Sequence, residues 1–231
     1  MNYKIIQNEI ALREFIDWLP EISNQERLYC SLLARNKYLE DKKAMGTDKI
    51  GLKSFLSSKK DLFNKIWQLE VPFGAYVCNK TMQPVPQEAL VVYVTYNPRD
   101  IVEATFDTID LLNKKVRRAF DGYNPKSITL TAFQTSIPKS ANFFDFDFDF
   151  CSLEEKREEL ESCVNKDALS YIITRGGFHA LVNLKKMESK YEKSYVSKIA
   201  KIKGCDVKNN TKGMIPVPGT VQSNFCPKLI K

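Results

Sequence analysis

The run Phe-Phe-Asp-Phe-Asp-Phe-Asp-Phe at residues 143–150 restricts this chain more than any other feature. Strict alternation of apolar and charged residues fits a half-buried β-strand and has no helical reading. On a strand, Asp145, Asp147 and Asp149 share one face, and Phe144, Phe146, Phe148 and Phe150 share the other. The phenylalanines would pack under helices. The aspartates would line the opposite face, alternate ones about 7 Å apart. Three like charges in a row repel, and burying a carboxylate without a partner is costly. A polar strand face in water is the simplest alternative, but Lys, Thr or Ser would solvate it with less repulsion. A hard divalent cation removes both costs, and Mg²⁺ takes carboxylate oxygens while keeping positions for phosphate.

The flanking sequence gives that strand a place in a sheet. Ser152 and Glu155 form a capping box for a charged helix through about residue 165. A strand at 168–174, a turn at Arg175-Gly176-Gly177 and a return strand at 178–184 follow. Met187, Tyr191 and Tyr195 then recur at helical spacing over 185–202, and extended pieces lie near 205–207 and 214–217. The order is β-α-β-β-α-β, the split pattern of ferredoxin-like and RNA-recognition-like folds. In that topology the 143–150 strand lies between the 178–184 strand and the final strand. Helices cover one face and leave the other open.

The first half reads as an α/β lobe over residues 1–140, joined to the α+β core at 141–231. Ile10, Phe15 and Leu19 mark one helix, and Ser23 with Glu26 opens a second carrying Leu28, Leu32 and Leu33. That second helix ends in the basic cluster Arg35-Asn36-Lys37-Tyr38. A short helix is expected around 52–56, and Ser58 caps another running to 69. Strands are expected at 72–78, 89–96 and 127–133. Asn97-Pro98-Arg99-Asp100 stops the 89–96 strand and starts a helix over 101–120 that ends near Arg117 and Arg118.

Two further constellations involve residues suited to phosphate. His179, the single histidine, falls on the predicted strand beside the aspartates, where an imidazole would contact phosphate or offset charge. Arg175 adds a charge-assisted contact, and Gly176 and Gly177 let backbone amides approach an anion. An ordinary hairpin turn accounts for Arg-Gly-Gly equally well. Asp206 falls on the predicted fourth strand, next to the aspartate strand, where it either joins the same site or is a surface turn residue. Pro218-Gly219-Thr220-Val221-Gln222 offers amides, a hydroxyl and a carboxamide.

The 231 residues are 43% hydrophobic, enough for a substantial core, and carry a formal charge of +7 from 35 Lys and Arg against 28 Asp and Glu. A basic balance favours polyanionic partners such as nucleic acid. The six cysteines show no Cys-x-x-Cys spacing, so no zinc is expected, and reduced thiols in a cytoplasmic setting are the simplest reading. Neither a signal peptide nor an apolar run of membrane-spanning length is visible, so no membrane association is expected.

Taken together, these pieces resemble the archaeo-eukaryotic primase superfamily, the primase-polymerases. Asp145-Phe146-Asp147 matches its Asp-hydrophobe-Asp motif, with Asp149 an extra carboxylate or a shifted register. Gly177-Phe178-His179, with Arg175 before it, is similar to its small-x-His motif, although Gly replaces the usual Ser. Cys205-Asp206 and the 218–222 turn are similar to its third motif, with Gln222 where many members have His. The resemblance covers mainly residues 140–225. It extends loosely to Val94-Thr95-Tyr96-Asn97-Pro98-Arg99.

The resemblance implies a template-directed nucleotidyltransferase, a DNA primase or DNA polymerase, using two Mg²⁺ or Mn²⁺ ions at Asp145, Asp147 and Asp206. Arg175, Gly177, His179, Thr220 and Gln222 would contact the nucleoside triphosphate. Arg35, Lys37, Arg99, Arg117 and Arg118 would hold the DNA template backbone. Neither a zinc element nor a helicase domain is present in the sequence, so the expected setting is replication of a phage, plasmid or other mobile element, with a separate helicase. The competing readings are a metal-dependent nuclease and a non-catalytic nucleic-acid-binding module.

Overall fold

A computed structural model describes residues 1–41, 44–116, 124–138, 140–207 and 211–231. These form a mixed α+β structure with two five-stranded antiparallel sheets. The first part of the chain supplies α1 (Glu9–Trp18), β1 (Glu26–Arg35), β2 (Lys49–Ser57), α2 (Leu62–Trp67), β3 (Leu90–Thr95), β4 (Arg99–Asp100), α3 (Ile101–Val116) and α4 (Pro125–Thr135). Then come β5 (Phe143–Asp149), α5 (Leu153–Cys163), β6 (Leu169–Thr174), β7 (Gly177–Asn183), α6 (Tyr195–Ile199), β8 (Cys205–Asp206), β9 (Met214–Pro216) and β10 (Lys228–Ile230). The first sheet runs β2-β1-β3-β9, with β4 also paired to β1, and the second runs β10-β6-β7-β5-β8. The aspartate strand therefore lies between β7 and β8.

The second half forms as its local signals direct. The Ser152 hydroxyl accepts the Glu155 N–H at the start of α5. The turn at 175–176 joins β6 and β7 as a hairpin. Met187, Tyr191 and Tyr195 all pack on the core as their spacing indicates, but regular helix is confined to Tyr195–Ile199.

Four expected elements of the first half take another form. Residues 26–35 are a strand, not a helix. The Ser23–Glu26 pairing does form, with the Ser23 hydroxyl donating to Glu26 over 2.8 Å, but it closes a turn that leads into β1. Leu28, Cys30, Leu32 and Ala34 face one core while Tyr29 faces another. A central strand buried on both sides reads as a continuous apolar run, which spacing does not separate from a helix. Residues 52–56 belong to β2, paired along β1. Residues 127–133 lie in α4, where Asn124 caps Ser127 and Pro125 occupies the first turn. Its threonines fit a helix because Thr129, Thr131 and Thr135 donate to carbonyls four residues back. The expected strand at 72–78 is a turn-rich segment tied by bridges from Pro72 to Asn2 and from Val77 to Pro84.

The two sheets share their interior. One face of the second sheet is covered by α5 and α6 around Phe146, Phe148 and Phe178. Its other face is not left open. Phe143, Ile172 and Leu181 join the first-sheet core with Val92, Val94 and Ile215. The Trp18 ring packs tilted against Phe143 at 4.6 Å and its indole N–H donates to Ser170. Nor does the chain divide cleanly at residue 140, because β9 returns to the first sheet and β10 to the second.

Candidate functional site: a carboxylate cluster between two sheets

Asn97, from the Asn-Pro-Arg turn after β3, fixes the start of the aspartate strand. Its side-chain oxygen accepts the N–H groups of Asn142 and Phe143, at 2.8 and 2.9 Å. Its amide donates to the carbonyls of Phe143 and Thr211, at 2.7 and 2.9 Å. A buried amide that uses both ends is fully satisfied and rigid. From there β5 runs outward, with Phe143 and Asp145 in the dry interior and Asp149 exposed.

Register sets the chemistry. Asp147 pairs with His179 of β7 on one side and with Asp206 of β8 on the other, so the three side chains emerge on one face at one level. Asp145 lies one step deeper, only 2% exposed, and its two oxygens accept from His179 Nδ1 at 3.1 and 3.2 Å. The other ring nitrogen, Nε2, stands 3.7 Å from Asp147. Burial opposes a charged imidazole, but the contact with Asp145 and the charges of Asp147 and Asp149 outweigh it and raise its pKa to about 9. The Asp147 pKa is also raised, first by burial and then by the carboxylates of Asp145, Asp149 and Asp206, against the opposing pull of His179. Cys205, beside Asp206, stays a neutral thiol, its pKa pushed up to about 12 by burial and then by the charges of Asp206, Asp145 and Asp147.

Two cavities meet at this cluster. One, of about 350 Å³, is walled by Lys37, Tyr38, Tyr93, Phe150, Thr174, Arg175, Gly176, Pro216 and Gln222. The other, about 720 Å³, is walled by Arg35, Lys37, Lys49, Tyr93, Gln134, Thr135 and Lys212. Asp147, Asp149 and His179 line both, while Asp145 and Asp206 line neither. Carboxylates thus form the floor, and cations from both halves of the chain face them.

The nucleotide-contacting residues expected from the sequence divide by position. Arg175 is at the smaller cavity, held by its guanidinium to Ser223 and the Tyr38 carbonyl and lying 5.2 Å from the Tyr38 ring centre. Gln222 lines the same cavity, accepting the Arg175 N–H at 2.9 Å and donating to the Tyr38 hydroxyl at 3.0 Å. Gly177 serves packing: a Cβ there would lie 1.9 Å from the Phe148 carbonyl oxygen. Thr220 is buried, its hydroxyl donating to Val217 within the turn, so it does not face the cavity.

Among the expected template contacts, Arg35 and Lys37 do line the cavities. Arg99 does not. It is fully buried, one guanidinium nitrogen donating to the Lys212 carbonyl, while Nε and Nη1 have no partner among the described residues. Burial draws its pKa down to about 10, so it remains charged at neutral pH but presents nothing to a backbone at the surface. Arg117 and Arg118 lie outside the described residues.

Tyr38, Tyr93, Lys49, Lys212 and Phe150 were not anticipated at the site. Of these, Tyr38 carried a visible signal, its place beside the basic Lys37. Phe150 departs from its expected place under the helices. The strand ends at Asp149, and Phe150 turns outward with φ of 59°.

Among the described residues, no group of three His, Cys, Asp or Glu side chains is drawn together as a ready-made metal cage. The donor chemistry nevertheless suits a hard cation. Mg²⁺ is commonly held by one or two carboxylates plus substrate phosphate, and Asp147 and Asp149 present such carboxylates to both cavities. Among the described residues, no helix is long and apolar enough to cross a membrane. No family model, curated protein or solved structure matches the chain.

Proposed function

We propose that this chain is a metal-dependent nucleotidyltransferase of primase-polymerase type, joining nucleoside triphosphates on a DNA template. The observation that carries the reading is the convergence of Asp147, Asp149 and His179 at the junction of two cation-walled cavities, with Asp206 level with Asp147 on the neighbouring strand. The strand order β6-β7-β5-β8, with α5 and α6 on one face, supports it as the split βαβ arrangement of ferredoxin-like and RNA-recognition-like folds.

The site favours a particular division of labour. Asp147, Asp149 and Asp206 are the carboxylates that would hold Mg²⁺ or Mn²⁺, the shifted register of the Asp-hydrophobe-Asp motif. When bound, such ions supply charge neutralisation for the triphosphate and a lowered pKa for the attacking 3′-hydroxyl. Asp145 acts through His179: it holds Nδ1 and leaves Nε2 as the ring edge nearest the cavity. His179, Lys37 and Arg175 provide positive charge for the phosphates. Arg35, Lys49 and Lys212 line the larger cavity, where a nucleic-acid backbone would run.

Primed DNA, nucleoside triphosphates and Mg²⁺ or Mn²⁺ test the proposal. Extension by the wild type and its loss in Asp147→Asn and Asp206→Asn is the expected result. Strand cleavage without extension would move the site to the nuclease reading. DNA binding with neither activity, unchanged in Asp147→Ala/Asp149→Ala, would make the chain a binding module.

A further inference from the structure

We propose that Phe150 is the platform on which the nucleobase of the bound nucleotide stacks, an inference that rests on the nucleotidyltransferase reading. Continued alternation would bury this ring beside Phe146 and Phe148. Instead it is 97% exposed, with a positive φ that bulky residues rarely adopt. The position is well anchored. The Phe150 N–H donates to Gly176 at 2.8 Å, and the preceding Asp149 N–H donates to Gly204 at 3.3 Å. A large aromatic ring held in water by an uncommon backbone conformation, at the rim of a site, suggests a ligand.

The surroundings specify which kind. Phe150 walls the smaller cavity together with Tyr38, Tyr93 and Pro216, and that cavity's cations are Lys37 and Arg175. Asp149, the outermost carboxylate of the floor, is its immediate neighbour in the chain. A ligand with an anionic end at the carboxylate–cation floor and a flat apolar end at the rim matches this arrangement, and a nucleoside triphosphate has that form. The amide of Gln222 is held at both ends, by Arg175 and Tyr38, which turns its first donor and acceptor toward the protein rather than toward a base edge. Stacking without edge reading accepts every base, because each has a π-face. A template-directed enzyme needs that tolerance, since pairing with the template makes the selection.

Two variants of the full chain test this. Phe150→Asn removes the ring while keeping a residue that tolerates the left-handed conformation, so the fold is retained and thermal unfolding checks it. Phe150→Trp keeps a ring and adds a fluorophore over the background of Trp18 and Trp67. Binding of ATP and of inorganic tripolyphosphate is measured with Mg²⁺ or Mn²⁺ present. Phe150→Asn is expected to weaken ATP roughly tenfold and leave tripolyphosphate unchanged. Phe150→Trp is expected to bind ATP as the wild type does, with its added emission quenched by ATP and not by tripolyphosphate. Equal effects of Phe150→Asn on both ligands, or no effect on ATP, would overturn the assignment of Phe150 alone. If the wild type binds neither ligand with either metal, the nucleotidyltransferase reading falls and this inference with it.

Discussion

Replacing His179 by alanine tests whether Asp145 belongs to the histidine or to a metal. The Asp145 carboxylate is 2% exposed and receives Nδ1 at 3.1 Å. Removing the ring leaves a buried carboxylate without its counter-charge, a change that costs roughly 3–5 kcal/mol in folded proteins. Tyr96 is close enough for its hydroxyl pKa to be raised by burial and by the Asp145 charge, and it remains to soften the loss. The lower end, about 3 kcal/mol, is therefore expected. Asparagine at 145 has nearly the same shape and no charge, so Asp145→Asn/His179→Ala should be more stable than His179→Ala alone. The coupling between the two sites is then about 2 kcal/mol. Urea denaturation in EDTA at neutral pH measures each corner of the cycle, with an unchanged m-value confirming that midpoints report stability. A loss below about 1 kcal/mol for His179→Ala, or simple additivity, would refute the buried pair. Adding Mg²⁺ extends the test. The increment in stability from metal should survive Asp145→Asn and disappear in Asp147→Asn; the reverse pattern would restore Asp145 as the ligand.

Three other outcomes follow from the geometry. Asn97→Ala strands two buried N–H groups and two carbonyls at the head of the aspartate strand. At about 1–3 kcal/mol for each group left unsatisfied, with partial rescue by water, a loss of at least about 3 kcal/mol in urea midpoints is expected. Asp147→Asn should raise the melting temperature of the metal-free protein by removing a charge opposed first by burial and then by Asp145, Asp149 and Asp206, while abolishing metal-dependent extension; a lowered melting temperature would mean that the cluster is not strained. Arg35→Ala and Lys49→Ala should weaken DNA binding and flatten its salt dependence by roughly one unit of slope per lost phosphate contact. Arg99→Leu should change stability and leave that slope unaltered, because its guanidinium is buried.

Local chemistry made the second half legible. The alternation of 143–149, the Ser152 cap and the Arg-Gly-Gly hairpin each specify structure within a few residues, and each formed. β1 was not legible because a strand covered on both faces loses the alternation that identifies it. α4 was misread because its Ile and Thr residues favour strands intrinsically, and packing of Ile128, Ala132 and Phe133 prevailed. Within the site, alternation showed which face Asp145 takes but not how deep it lies. Depth depends on Phe143, Ile172 and Leu181 lying under the other sheet's core, a relation between distant segments. For the same reason Lys49, Tyr93 and Lys212 carried no local sign of belonging to one cavity.

The return of the chain to both sheets bears on when the site comes into being. During synthesis, the strands around the aspartates are complete by residue 206, yet Pro216 and Gln222 still have to be added to the smaller cavity's wall. Gln222 then links the Tyr38 hydroxyl to the Arg175 backbone, and β10 closes the edge of β6. Until that stretch has left the ribosome, a nascent chain holds its carboxylates on a sheet whose cavity lacks a wall. On the proposed reading, nucleotide capture would therefore wait until this stretch has been made.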